Sequence, residues 1–177
     1  FNSLDAQRDA CAAFVASQFK QQWRTDFHNF LKQPELMQRF DLYRYEKQML
    51  EQSSGELDLL ANNTLLWNIC YDVVHQLQQT YTDWLFITHE ELSRQPAEKY
   101  REIFNQFGLP YNEDVENEIL EHSSSSNKTN ATGIFDIKID SAANIKRWKE
   151  KLSEDEIARV RELTAEVAGY YYDESDW

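Results

Sequence analysis

The chain has 177 residues, with 41% hydrophobic and 14% aromatic residues, enough to bury a core as one domain spanning 1–177 and too apolar for a disordered chain. Its formal net charge of −13 and the absence of any Lys/Arg run argue against a nucleic-acid partner, because a phosphate backbone would be repelled. Only four glycines and three prolines occur, so long helices with few turns are expected.

Along the first stretch, about 3–22, Ala10, Ala13, Phe14, Val15 and Phe19 predict a moderately amphipathic helix. Asp26 or Asn29 can begin a second, and Pro34 a third that carries Leu36, Met37, Phe40, Tyr43 and Leu50. Ser53-Ser54-Gly55 marks a break. Leu65, Leu66, Ile69, Cys70, Val73 and Leu77 then recur at three and four residues, a strong helix with Asn62 or Asn63 placed to cap it. Cys70 falls on that apolar face and reads as a buried thiol; it and Cys11 have no metal-ligand spacing.

The stretch 83–110 is taken as the organising block. Trp84-Leu85-Phe86-Ile87-Thr88 has the composition of a buried strand. Pro96 suits a first helical turn, and Tyr100, Ile103, Phe104 and Phe107 form a stripe that Gly108 and Pro110 end. Asn112 can cap a helix through Val115, Ile119 and Leu120. The four serines from Ser123 to Ser126, and on to Gly133, predict an exposed loop, and 134–139 alternates loosely. A helix with Ile145, Trp148 and Leu152 follows. Ser153-Glu154-Asp155-Glu156 is a capping box, stapled by Leu152 and Ile157, that opens a helix through Val160, Leu163 and Val167.

Catalytic patterns are sparse. His89-Glu90-Glu91-Leu92-Ser93 is not the zinc pattern, and His28, His75, His89 and His122 are scattered, so no metal is expected. Glu90 and Glu91 read as an acid/base pair or, more simply, as helix N-terminal charge. The serines lack a G-x-S-x-G elbow, and no glycine-rich phosphate loop occurs. No apolar run approaches the roughly 20 residues that span a bilayer, so a soluble, cytoplasmic protein without membrane contact is expected.

An ordered set of short matches resembles the sulfotransferases that use 3′-phosphoadenosine-5′-phosphosulfate. These are Ala12-Ala13-Phe14-Val15-Ala16-Ser17 with Trp23 and Asp26-Phe27; Trp67-Asn68; Asp83 to Ser93 with Pro96; and Asp140-Ser141, Ala143-Asn144, Trp148-Lys149 and Leu152-Ser153. Tyr171-Tyr172 and Trp177 are similar to the C-terminus of bacterial members. The resemblance implies an α-rich α/β fold, helices around one or two strands, like the C-terminal part of a P-loop-like sulfotransferase. It implies transfer of a sulfuryl group from that nucleotide to an alcohol or amine, a small-molecule acceptor, with Ser17 and Arg8 on the 3′-phosphate side. Asp9 and Cys11 stand where the family pattern has Arg and Pro, Arg8 comes one residue early, and Ile139 replaces an Arg before Asp140-Ser141. Ser17 reads equally as a helix residue packed near Phe14 and Val15. The family's glycine-rich loop has no counterpart, so these residues alone are not expected to catalyse transfer. The alternative is a non-catalytic helical binding or scaffold module, and an open sheet edge would favour a homodimer.

Overall fold

In the computed structural model the described residues are 4–129, 138–145 and 147–171; the side chains of residues 4–10 and 144 lie outside the description. The helices are α1 (Leu4–Lys20), α2 (His28–Leu31), α3 (Pro34–Arg39), α4 (Glu46–Ser54), α5 (Leu59–Thr80), α6 (His89–Arg94), α7 (Pro96–Gln106), α8 (Glu113–Ser123), α9 (Ser141–Asn144) and α10 (Glu154–Ala168). Two 3-10 turns, Leu42–Tyr45 and Arg147–Glu150, complete the set among the described residues.

The organising element is α5 rather than the 83–110 block. It is a 22-residue helix with apolar side chains on two faces, and each face closes a different core. Leu60 and Trp67 meet Cys11, Val15 and Ala16 of α1, Trp148, and Val160 and Val167 of α10. Leu65 and Ile69 meet Phe27, Met37, Leu42, Tyr45 and Met49. Trp67 is fully buried and stacks on Tyr71, ring centroids 4.4 Å apart, so that contact adds to the area term.

Polar ties hold α5 in place. Asp58 caps it, its Oδ1 accepting from the Ala61 amide at 3.1 Å, and the Asp58 carboxylate also pairs with Arg159 of α10. Asn62 is no cap: inside the first turn it accepts from Thr25 N at 2.8 Å and donates to Thr25 O at 3.1 Å, pinning the segment after α1. Asn63 is likewise inside the helix, and Cys70 is an exposed free thiol, not a buried one.

The expected α/β class is overturned. No strand or sheet forms among the described residues; they are helical, with one isolated parallel bridge between Lys128 and Ile139. The 84–88 run has strand composition, and Thr88 is extended at φ −80 and ψ 150. A strand also needs a neighbour to take its N–H and C=O groups. None lies beside this run among the described residues, and Trp84 remains 52% exposed.

The expected third helix from Pro34 through Leu50 is instead α3, a 3-10 turn and α4, broken where Asp41 adopts a left-handed φ of 50°. The expected helix with Ile145, Trp148 and Leu152 is a 3-10 turn, Arg147–Glu150, that holds Trp148 alone of the three. The local start and stop signals hold. Pro96 occupies the first turn of α7, and Gly108 adopts φ +64, with Leu109 N donating to Phe104 O at 2.8 Å and Gly108 N to Asn105 O at 3.2 Å. Asn112 caps α8, and Ser153 with Glu156 forms the capping box of α10. Of the expected 123–133 loop and 134–139 segment, residues 130–137 lie outside the description.

Candidate functional site

The candidate site is built on the short helix α6 and the turn that leads into it. Thr88 is its N-cap: the Thr88 hydroxyl accepts from Glu91 N at 3.1 Å, while the Glu91 carboxylate accepts from Thr88 N at 3.0 Å. This capping box settles Glu91 as a helix-start carboxylate. The Thr88 amide bond and the Thr88 hydroxyl hold its carboxyl below the usual range, despite partial burial. Glu90, its neighbour, turns inward and is 4% exposed. The two carboxylates therefore occupy different environments and do not act as a pair.

Between α5, the 86–88 turn, α6 and Tyr171 lies a cavity of about 610 Å³, within the usual range for small-molecule sites. Its walls include Tyr71, Gln78, Phe86, Thr88, Glu90 and Tyr171. Tyr171 donates its hydroxyl to Tyr71 O at 2.8 Å and meets the Tyr71 ring edge-on at 5.8 Å. Burial raises both phenol pKa values, and the charge of Glu90 pushes Tyr71 further. Both phenols stay neutral at pH 7, giving polar tips on an aromatic wall. His75, stacked on Tyr170 at 4.3 Å, supports this wall from behind, which is the structural role its helix position suggests.

The sequence-predicted site residues lie elsewhere, on α1. Ser17 is half-buried near the end of the helix, its hydroxyl accepting from the Gln21 amide at 3.3 Å. The side chain of Arg8 lies outside the described residues, but its backbone belongs to the same continuous helix. Nine residues of α-helix separate the two backbone positions by about 13 Å along the axis. Lys20 and Gln21 follow Ser17 at helical spacing on one face. A hydroxyl, an ammonium and an amide there match a phosphate edge, although the helix C-terminus opposes an anion.

Comparison with known proteins gives one informative match. The chain is 25% identical over 148 residues to carbohydrate sulfotransferase 1 of Danio rerio, covering 78% of this chain and 34% of the relative. The match supports a sulfotransferase relationship. The chain spans about a third of the length of this curated relative. No family model matches, and no solved structure matches.

Sequence reasoning missed the inward turn of Glu90 and the tyrosine wall. The signal for the first was Thr88 followed three residues later by Glu91, the same capping-box spacing recognised at Ser153. The wall joins residues 100 apart in the chain, Tyr71 and Tyr171, and has no local signal. No group of three or more metal-ligating side chains occurs among the described residues, and no described helix is long and apolar enough to cross a membrane.

Proposed function

We propose that the chain is a sulfotransferase-related domain whose parent activity is transfer of a sulfuryl group from 3′-phosphoadenosine-5′-phosphosulfate to an alcohol or amine. The observation that carries this reading is the similarity to carbohydrate sulfotransferase 1 across most of the chain. That relative's name makes a carbohydrate hydroxyl the acceptor to try first. The cavity beside α6 suits the acceptor better than the donor, because its described walls carry aromatic rings with Glu90 and Glu91 and, among the described residues, no lysine or arginine. The 177 residues contain no glycine-rich loop to hold the phosphosulfate, so this chain by itself is expected to bind rather than turn over.

The test is a calorimetric titration with adenosine 3′,5′-bisphosphate, the desulfated nucleotide, on the wild type and on Ser17→Ala. Micromolar binding that weakens about tenfold in the variant supports the nucleotide reading, as expected when a charged ligand loses one hydroxyl contact. Absence of binding favours the second reading, a non-catalytic helical binding module. The missing glycine-rich loop is the specific observation behind that alternative.

A further inference from the structure

The sequence contains three Asn-x-Thr triplets of the kind that accept an N-linked glycan: Asn62-Asn63-Thr64, Asn127-Lys128-Thr129 and Asn130-Ala131-Thr132. The third lies outside the described residues. The fold treats the other two in opposite ways.

Asn62 sits inside the first turn of α5 and is 0% exposed. Its carboxamide is engaged at both ends by the Thr25 backbone, through Oδ1 and through Nδ2. Thr64, the third residue of that triplet, is 1% exposed and donates its hydroxyl to Leu60 O at 2.7 Å. A sugar on Asn62 would have to lie where the Thr25 backbone packs, so a chain modified there could not form this fold.

Asn127 lies just past the end of α8, where its N–H donates to Ser124 O at 3.0 Å and closes a four-residue turn. Ser125, Ser126, Lys128 and Thr129 are exposed, and Asn127 is half-buried between them. The turn is held on both sides. The Ser124 and Ser126 hydroxyls lie 2.8 Å apart, and Asp140 N donates to Lys128 O at 3.0 Å. Asn127 Nδ2 donates to Glu121 O at 2.7 Å, which aims the carboxamide.

The chemistry of the modification fits this arrangement. A primary carboxamide nitrogen carries two hydrogens, and the bond to Glu121 O uses one of them. In transfer from a lipid-linked saccharide diphosphate, Nδ2 attacks the anomeric carbon. The N–C bond forms as the C–O bond breaks, the diphosphate leaves with the electron pair, and the displaced proton passes to a base of the transferase. The secondary amide that results keeps one N–H, so the bond to Glu121 O and the turn both survive the modification.

We propose that Asn127 is an N-glycosylation site and that Asn62 is not one. The proposal commits the turn after α8 to a secretory lumen, in place of the cytoplasmic setting expected from the sequence. It does not rest on sulfuryl transfer.

The experiment is peptide mapping of the full protein purified from its own cells, with glycans released by peptide N-glycosidase in heavy-oxygen water. Release converts a glycosylated Asn to an Asp that carries the heavy oxygen, so each triplet is read separately. The expected result is label at Asn127 and none at Asn62. In the same cells Thr129→Ala abolishes the Asn127 label, because the triplet needs the hydroxyl, and Thr129→Ser retains it. Both substitutions fall on an exposed residue and leave the fold intact. Three results overturn the proposal: an unlabelled Asn127 in the natural protein, label at Asn62, or an Asn127 label that persists in Thr129→Ala.

Discussion

The helix α5 and the pair α7–α8 are alike in sequence pattern and unlike in what the fold does with them. All three carry apolar stripes at helical spacing. On α5 eight positions are buried, among them Trp67, Leu65 and Ile69. On α7 and α8 none is, and Phe107 is 64% exposed. The pair is instead clasped by Arg101 to Glu116 at 2.7 Å, by the Tyr111 hydroxyl donating to Ala97 O at 3.0 Å, and by the edge-on contact of Phe104 with Tyr111. Periodicity shows which face of a helix is apolar; it does not show whether another element covers it. The covered helix is the scaffold, and the cavity beside Tyr71 lies between it and α6.

Breaking the covered side should have the largest effect. Trp67→Ala removes the largest buried side chain and should cost about 3–5 kcal/mol in urea unfolding, against a total stability of about 5–15 kcal/mol. A loss below about 1 kcal/mol would mean that α5 is not the organising element. Removing the cap of α10 by Ser153→Ala should cost about 1 kcal/mol, and the same substitution at Thr88 should cost a similar amount but loosen α6 locally.

The pH dependence sharpens the contrast. At Asp58 burial opposes the charge, but Arg159 and the Ala61 amide outweigh it and hold the carboxyl below its usual range. A depressed folded pKa means stability that is present above the unfolded value of about 3.9 and lost as pH falls through the folded one. Asp58→Asn keeps a good N-cap but removes the charge, so its Tm should fall less steeply than that of the wild type below about pH 4. Parallel profiles would remove Asp58 from the account. At the small end, Phe107→Ser on the uncovered pair should change stability by no more than about 0.5 kcal/mol.

Much of the helical framework was legible in the sequence. Pro34, Pro96, Gly108, Asn112 and the Ser153–Glu156 box each act locally, through a fixed φ, a left-handed turn or a cap, and each holds in the fold. What failed depended on partners far along the chain. The 84–88 run has strand-forming residues, but strand pairing is settled by a neighbour that composition cannot supply. Asn62 looked like a cap because Asn often is one, whereas its real partner is Thr25 and the cap is Asp58. Cys70 sat on the apolar register of α5, yet the helix surface there meets neither core. Around α6, the pairs His89–Ser93 and Glu118–His122 were readable from their four-residue spacing on helices. Their convergence across the 24 residues between Ser93 and Glu118 was not.

The contrast between the covered helix and the uncovered pair is tested most directly by native-state hydrogen exchange, residue by residue. Amides in the middle of α5 should exchange only through global unfolding, while those of α7 and α8 should open at a free energy at least about 2 kcal/mol lower. Equal protection of α5 and of the α7–α8 pair would show one cooperative unit, and would contradict the division into a scaffold and a lightly held flank.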